Sequence, residues 1–298
     1  MFLSAINKLK LFDVTMTNCS KFYNLSLCSK VKALGQILYE RSPDNIEIGG
    51  LPSLVNVRNV NVRIVNNRVV NDNKETISDT VNLYNYAKQF SLKHKINCKP
   101  FILVPLKPVI LNQVKELQVE NISLVTSLSD TFLQRFTNNN LENTKKMLSS
   151  KKTTVNNFAN VKLYITCLSH CDFEGIQNTN KIVKEILYYD SIRGITELCL
   201  SDTYGELGFK EFKEIIDELK NKMDLAKLSI RLCIKKQYSV QDTVLKRQNI
   251  ENIIQYCIEN KIYKFDVVSD MNDTREYVLT YGKLYERVDD RAELAYYG

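Results

Sequence analysis

A chain of 298 residues can bury a sizeable core, either as one α/β barrel of about 250 residues with additions or as two smaller domains. With 44% hydrophobic and 25% charged residues, its composition excludes the disordered and fibrous classes. The formal net charge of +7 comes from Lys and Arg scattered along the chain, which argues against a nucleic-acid partner, and no uncharged apolar run is long enough for a membrane span.

In the opening MFLSAINKLKLF, Lys8 and Lys10 interrupt the apolar stretch too soon for the core of a secretion signal. The eight cysteines lie mostly in or beside apolar segments, which points to free thiols in a reducing, cytoplasmic compartment.

Strand-like and helix-like runs then alternate at the roughly 30-residue spacing of a βαβ unit. The first strand is expected at residues 11–15, helical periodicity follows over 31–39, and a second strand at 45–49. Residues 54–72 break the rhythm: Val and Ile alternate with Arg and Asn, a hairpin pattern with Asn66 and Asn67 at the turn. Such an insertion is either a surface hairpin that lengthens the loop, or a lid or edge that pairs with a second subunit. Further strands are expected at 101–106, 122–126, 161–167, 195–200, 228–234 and 264–268. Between them, Phe212, Ile215, Ile216 and Leu219 repeat at helical spacing, as do Ile250, Ile253, Ile254 and Cys257, after which Asn260 stands like a helix C-cap. Eight strands with intervening helices predict an α/β protein: a single (β/α)8 TIM barrel over residues 1–298, with the hairpin inserted after strand 2 and a shortened C-terminus.

Two segments hold most of the chemistry. LYITCLSHCDFEG (163–175) and ITELCLSDTYGE (195–206) each read as a buried strand running into a loop of acids, thiols and hydroxyls, at the end of the barrel where such folds keep their sites. Cys167, His170 and Cys171 make a soft-ligand cluster, but three ligands fall short of a closed zinc site, and no third residue orients a Cys–His nucleophile. His94 reads as a solvated residue at a helix end.

These segments resemble the Ser-Cys-x-x-x-Cys-Pro-x-Glu-Gly and Gly-Asp-Thr-x-Gly loops of 3-hydroxy-3-methylglutaryl-CoA (HMG-CoA) lyases. SDTFLQRFTNNNLENT resembles the fourth strand-loop-helix of that family through Ser129, Phe132, Asn138 and Glu142. The resemblance, running from Leu11 to about Asp270, implies a TIM barrel of the DRE-TIM metallolyase group, enzymes that cleave or form carbon–carbon bonds beside a divalent cation. At the family's site positions the chain departs. Where the family has Arg-Asp after strand 1, for enolate stabilisation and metal ligation, this sequence has Thr17 and Asn18; where strand 7 carries the ligating His-x-His, it has Arg231 and Cys233. MNDTREYVLTYGKLYE replaces the glycine-rich loop that supplies a catalytic Cys and a ligating Asn. Arg cannot ligate at any accessible pH, and neutral Asn is a poorer ligand than carboxylate for a hard cation.

The resemblance with these departures implies a catalytically degenerate relative of the lyase, holding no metal or other cofactor and kept as a binding or scaffold protein, with a homodimer as one assembly. Glu47, Asp202 and Arg231 are the candidate catalytic residues. They form either an ion-pair network in which the guanidinium takes over the metal's charge, or the machinery of a changed, metal-independent aldol-type or acyl chemistry. Thr17, Asn18, Arg135, Thr203 and Lys235 are candidate ligand-binding residues. Lys235 and Lys236, with Arg231 and Arg135, would make the mouth positive and suit an anionic small molecule such as an acyl-CoA or a carboxylate.

Overall fold

The computed structural model describes residues 8–18, 22, 25–51, 64–65, 68–69, 77–150, 154–235, 240–269, 276–281 and 284. Eight strands close into a barrel: β1 (Lys10–Asp13), β2 (Asn45–Gly50), β3 (Lys99–Leu103), β4 (Asn121–Ser127), β5 (Asn160–Thr166), β6 (Glu197–Ser201), β7 (Leu228–Arg231) and β8 (Lys264–Val267). Each pairs in parallel with its sequence neighbours, and β8 closes on β1. The predicted TIM barrel is the fold observed.

Alternation along each strand sorts side chains between two layers. On β5, Val161, Leu163 and Ile165 face outward into the main core, packing with Ile182, Ile186 and Tyr189 of a surrounding helix. The next positions face inward, where Tyr164 meets Leu103 and Cys199. A second inner cluster joins Phe12, Val14, Phe101, Cys233 and Val268.

The helices are α1 (Leu27–Arg41), α2 (Ile77–His94), α3 (Pro108–Glu116), α4 (Asp130–Thr137), α5 (Leu141–Ser149), α6 (Thr179–Asp190), α7 (Phe209–Leu219) and α8 (Val240–Glu259). Ser26, Ser129, Asn140 and Asn178 cap α1, α4, α5 and α6 by accepting backbone N–H groups of the first turn. The stripe Phe212, Ile215, Ile216 and Leu219 of α7 is wholly buried, as its spacing predicts. After α8, the left-handed residue is Lys261 (φ 63°), and Ile262 N donates back to Cys257 O at 2.8 Å. Asn260 stands one residue before that reversal, its side-chain amide donating to Tyr256 O at 2.8 Å.

Several strand boundaries differ from expectation: β3 runs over Lys99–Leu103 rather than 101–106, and three other shifts have a local cause. β1 stops at Asp13, whose carboxylate accepts the Thr15 N–H at 2.8 Å and turns the chain into a short helix, Thr15–Asn18. β6 starts only at Glu197, because the Thr196 hydroxyl ties itself to the Val161 backbone at 2.9 and 3.0 Å. β7 ends at Arg231; Cys233–Lys235 leaves the barrel to pair antiparallel with Glu276–Val278. Within the insertion, Ile64–Val65 pairs antiparallel with Arg68–Val69. The rest of the 54–72 segment lies outside the described residues, as does Lys236. Among the described residues no helix is long and apolar enough to cross a membrane, and the seven described cysteines are free.

Gly194, in the connection from α6 to β6, has φ +95°, and a Cβ there would lie 3.1 Å from Asn156 Cα. Gly175 has φ +75° with open space around it. Gly194→Ala is expected to destabilise by about 1–3 kcal/mol and Gly175→Ala by less, since only the first adds a backbone clash to the strain of a positive φ. Urea midpoints of the two variants measure the difference.

Candidate functional site

The C-terminal ends of β1, β2 and β7 bring four of the sequence-predicted residues together. Thr17 sits on the helical turn after β1, and its hydroxyl donates to Glu47 Oε1 at 2.7 Å; the other Glu47 oxygen accepts from the Tyr164 hydroxyl at 3.2 Å. A register shift in β2 falls between Glu47 and Gly50, so Glu47 is the last regular residue before a bulge. Arg231 reaches across from β7 and donates from Nη2 to Asn18 Oδ1 at 2.6 Å. Its Nη1 lies 3.8 Å from Asp266 Oδ2, and its guanidinium carbon is 5.5 Å from the Tyr164 ring centroid. Arg231, Glu47, Tyr164 and Asp266 are all buried. Burial alone would weaken the positive charge on Arg231, but Cys233, Tyr164, Asp266 and Glu47 outweigh it and raise its pKa.

Beneath this group lies a charge that sequence reading missed. Lys162, buried on β5, forms ion pairs with Asp266 Oδ1 and, at 3.1 Å, with Glu197 Oε1; its ammonium is 3.6 Å from the Phe12 ring centroid. Glu197 reaches Lys264 at 3.5 Å through its other oxygen. The result is an alternating series, Lys264, Glu197, Lys162, Asp266, Arg231, through the barrel interior. Desolvation opposes the Lys162 charge, and the pull of Asp266 and Glu197 more than restores it. Likewise, burial disfavours ionised Glu197, but Lys162 and Lys264 lower its pKa below the usual value. The available signal was a charge at an inward-facing position of a mostly apolar strand: Lys162 in NVKLYIT, and Asp266 two residues after Lys264 in KFDV.

Asp202 is placed elsewhere. Its carboxylate accepts the Glu206 N–H at 3.0 Å, while its own N–H donates to Arg231 O at 2.9 Å, so it caps the loop after β6 rather than joining Glu47. Burial pushes its pKa up to about 7, partly offset by the Glu206 and Leu207 N–H groups. Thr203 accepts the Cys167 N–H at 2.8 Å, pinning the loops after β5 and β6 to each other where Cys167 holds φ 57°. Arg135 is exposed on α4, its guanidinium 4.2 Å from the Phe173 ring centroid. Lys235 stands opposite Glu276 in the strand pair beyond β7.

Cys171 Sγ donates to Ser129 Oγ at 3.1 Å, and His170 lies 3.5 Å from Asp172; burial pushes the Cys167 thiol up to about 12. His94 ends α2, exposed and stacked on Phe90 with centroids 4.2 Å apart. Among the described residues no group of three or more His, Cys, Asp or Glu is arranged to hold a metal ion.

A parallel eight-stranded barrel with polar side chains gathered at its C-terminal strand ends has the architecture of TIM-barrel enzymes. No protein-family profile matches the chain, and no curated protein sequence does. Solved structures do. The hydroxymethylglutaryl-CoA lyase of Pseudomonas aeruginosa superposes with a TM-score of 0.68 at 15% identity, covering 95% of this chain and 85% of that one. The HMG-CoA lyase of Brucella melitensis gives 0.67 at 14% identity, covering 95% and 91%. That of Acinetobacter baumannii, solved in complex with coenzyme A and 3-methylmalate, gives 0.67 at 14%, covering 95% and 84%. At such identities the likeness establishes a shared fold.

Lys162→Met leaves buried Asp266 and half-buried Glu197 short of their common cation, and is expected to cost about 3–5 kcal/mol. Lys162→Met combined with Asp266→Leu removes charge from both sides and should recover part of that loss, a coupling that a double-mutant cycle in urea reads directly. Asp202 predicts a pH dependence. The folded carboxyl loses its proton near 7 and the unfolded one near the ordinary 3.8, so between these values the folded state binds more protons. Its contribution to stability therefore falls as pH rises through that window and levels off above it. Comparing Asp202→Asn with the parent chain across pH 4–8 should isolate this fall; identical profiles would refute it.

Proposed function

We propose that this chain is a catalytically degenerate relative of HMG-CoA lyase, with carbon–carbon lyase ancestry, that binds a small organic anion at its C-terminal mouth. The observation that carries this reading is Arg231: a buried guanidinium whose Nη1 has no hydrogen-bond acceptor among the described residues and faces Asp266 only at 3.8 Å.

The residues at the mouth do not fit the divalent cation of that family. Asn18 Oδ1 is taken by Arg231 at 2.6 Å, and Glu47 is engaged by Thr17 and Tyr164. A divalent ion about 4 Å from the guanidinium would be repelled by about 8 kcal/mol at an effective dielectric of 20. A carboxylate fits the same place. A buried charged donor left unmade costs more than about 1–3 kcal/mol, and a carboxylate oxygen would satisfy it with a charge-assisted bond. The coenzyme A and 3-methylmalate held by the Acinetobacter protein make acyl-CoA and short dicarboxylic acids the first candidates. A second reading, metal-independent acid–base chemistry, draws on Asp202, whose pKa near 7 suits proton transfer. Against it, Asp202 and Glu47 belong to separate hydrogen-bond groups.

Metal analysis combined with a thermal-shift screen tests the proposal. The expected result is no bound Mg²⁺ or Mn²⁺, a rise in melting temperature with 3-methylmalate or an acyl-CoA, and loss of that rise in Arg231→Lys, which keeps the charge but not the planar fork. Stoichiometric divalent metal with cleavage of HMG-CoA would overturn it. Arg231→Ala should also lower the melting temperature of the unliganded protein, because Asp266 and Glu47 lose a buried counter-charge.

A further inference from the structure

At the opposite end of the barrel, the N-terminal strand ends surround an open cavity of about 310 Å³ lined by Lys10, Phe12, Lys99, Phe101, Glu197 and Lys264, with Asp44 and asparagine amides on its walls. Register places Lys10 directly beside Lys264 across the β1–β8 pair. Like charges in that relation repel unless something between them is negative. Asp44 answers Lys10 at 2.9 Å. Glu197 answers Lys264 at 3.5 Å, but it is shared with the buried Lys162 at 3.1 Å. Lys99, exposed and beside Asn45 in the register, has no carboxylate partner among the described residues. Among the residues that line the cavity, Lys10, Lys99 and Lys264 thus face Asp44 and Glu197, one positive charge in excess.

The cavity is not purely ionic. Phe12 and Phe101 line it and pack edge to face with centroids 5.0 Å apart, so an apolar surface lies within reach of the lysines. The inner layer of Tyr164, Leu103 and Cys199, with the buried Lys162–Asp266 pair, fills the barrel between this cavity and the Arg231 mouth. We propose that the N-terminal cavity binds a small organic carboxylate, its anionic group on Lys99 and Lys264 and its aromatic or aliphatic body against Phe12 and Phe101. This site is separate from the one at Arg231. A monocarboxylate matches the single excess charge, and 310 Å³ falls within the size of small-molecule sites.

Isothermal titration with benzoate and with its neutral counterpart benzamide tests this site in the full chain. Benzoate should bind saturably in the millimolar range and benzamide about tenfold more weakly or less. Lys99→Met should weaken benzoate about tenfold with an unchanged melting temperature, since Lys99 is exposed. Arg231→Lys, which keeps the positive charge at the far end of the ion-pair series, should leave benzoate affinity within about twofold. Absence of saturable binding, equal affinity for benzamide, or insensitivity to Lys99→Met would each overturn the proposal. Loss of benzoate binding in Arg231→Lys would assign the carboxylate to the other mouth and overturn it too.

Discussion

Burying the Lys162 ammonium inside a closed barrel costs several kcal/mol in desolvation. The chain offsets that cost with two carboxylates, Asp266 and Glu197, and with the face of the Phe12 ring at 3.6 Å. Each partner then needs its own balance. Glu197 takes a share of Lys264, Asp266 faces Arg231, and Arg231 in turn orders Asn18. Six strands or strand ends, β1, β2, β5, β6, β7 and β8, are joined through these contacts and the Thr17–Glu47–Tyr164 group. Because an unpaired member would be a buried charge in low dielectric, each contact constrains the next, and the mouth inherits its geometry from the interior.

Seen from the mouth, a fixed guanidinium differs from a bound metal in ways that bear on function. It needs no loading, stays ionised across the accessible pH range, and offers a planar fork of donors rather than an open coordination position. Such a fork recognises carboxylates well. It has no vacant orbital with which to polarise a carbonyl as a Lewis acid does. Arg231 makes its contacts with Asn18 and Asp266 rather than with a set of ligating side chains.

The barrel was legible in the sequence because its signals are local: apolar strands at even spacing and amphipathic helices such as α7. Thr17, Asn18, Glu47 and Arg231 were legible as well, since the ends of parallel strands converge in any closed barrel. Asp202 does not join Glu47, because its own loop offers backbone N–H groups that compete for the carboxylate, a contest that strand position does not reveal. Lys162 and Asp266 escaped notice for a different reason. Each stands next to apolar residues of its own strand, and they lie 104 residues apart in the chain. Only the inward parity of both positions, combined with barrel closure, makes them partners.

The residues that carry the resemblance to lyases turn out to act mainly on shape. Ser129 caps α4, and Asn138 ends it in the left-handed region at φ 53°. Glu174 accepts the Thr131 N–H at 2.7 Å, Thr203 holds the Cys167 N–H, and Asp202 holds that of Glu206. All of these satisfy backbone groups that would otherwise be left unpaired where strands give way to helices, a requirement of the loop conformation whatever chemistry the mouth performs. The departures, by contrast, fall at Thr17, Asn18, Arg231 and Cys233, at or just beyond the ends of β1 and β7, where Thr17 binds Glu47 and Arg231 binds Asn18. Loop residues of this kind thus serve the conformation of the loops, while the residues at the strand ends form the polar group at the mouth.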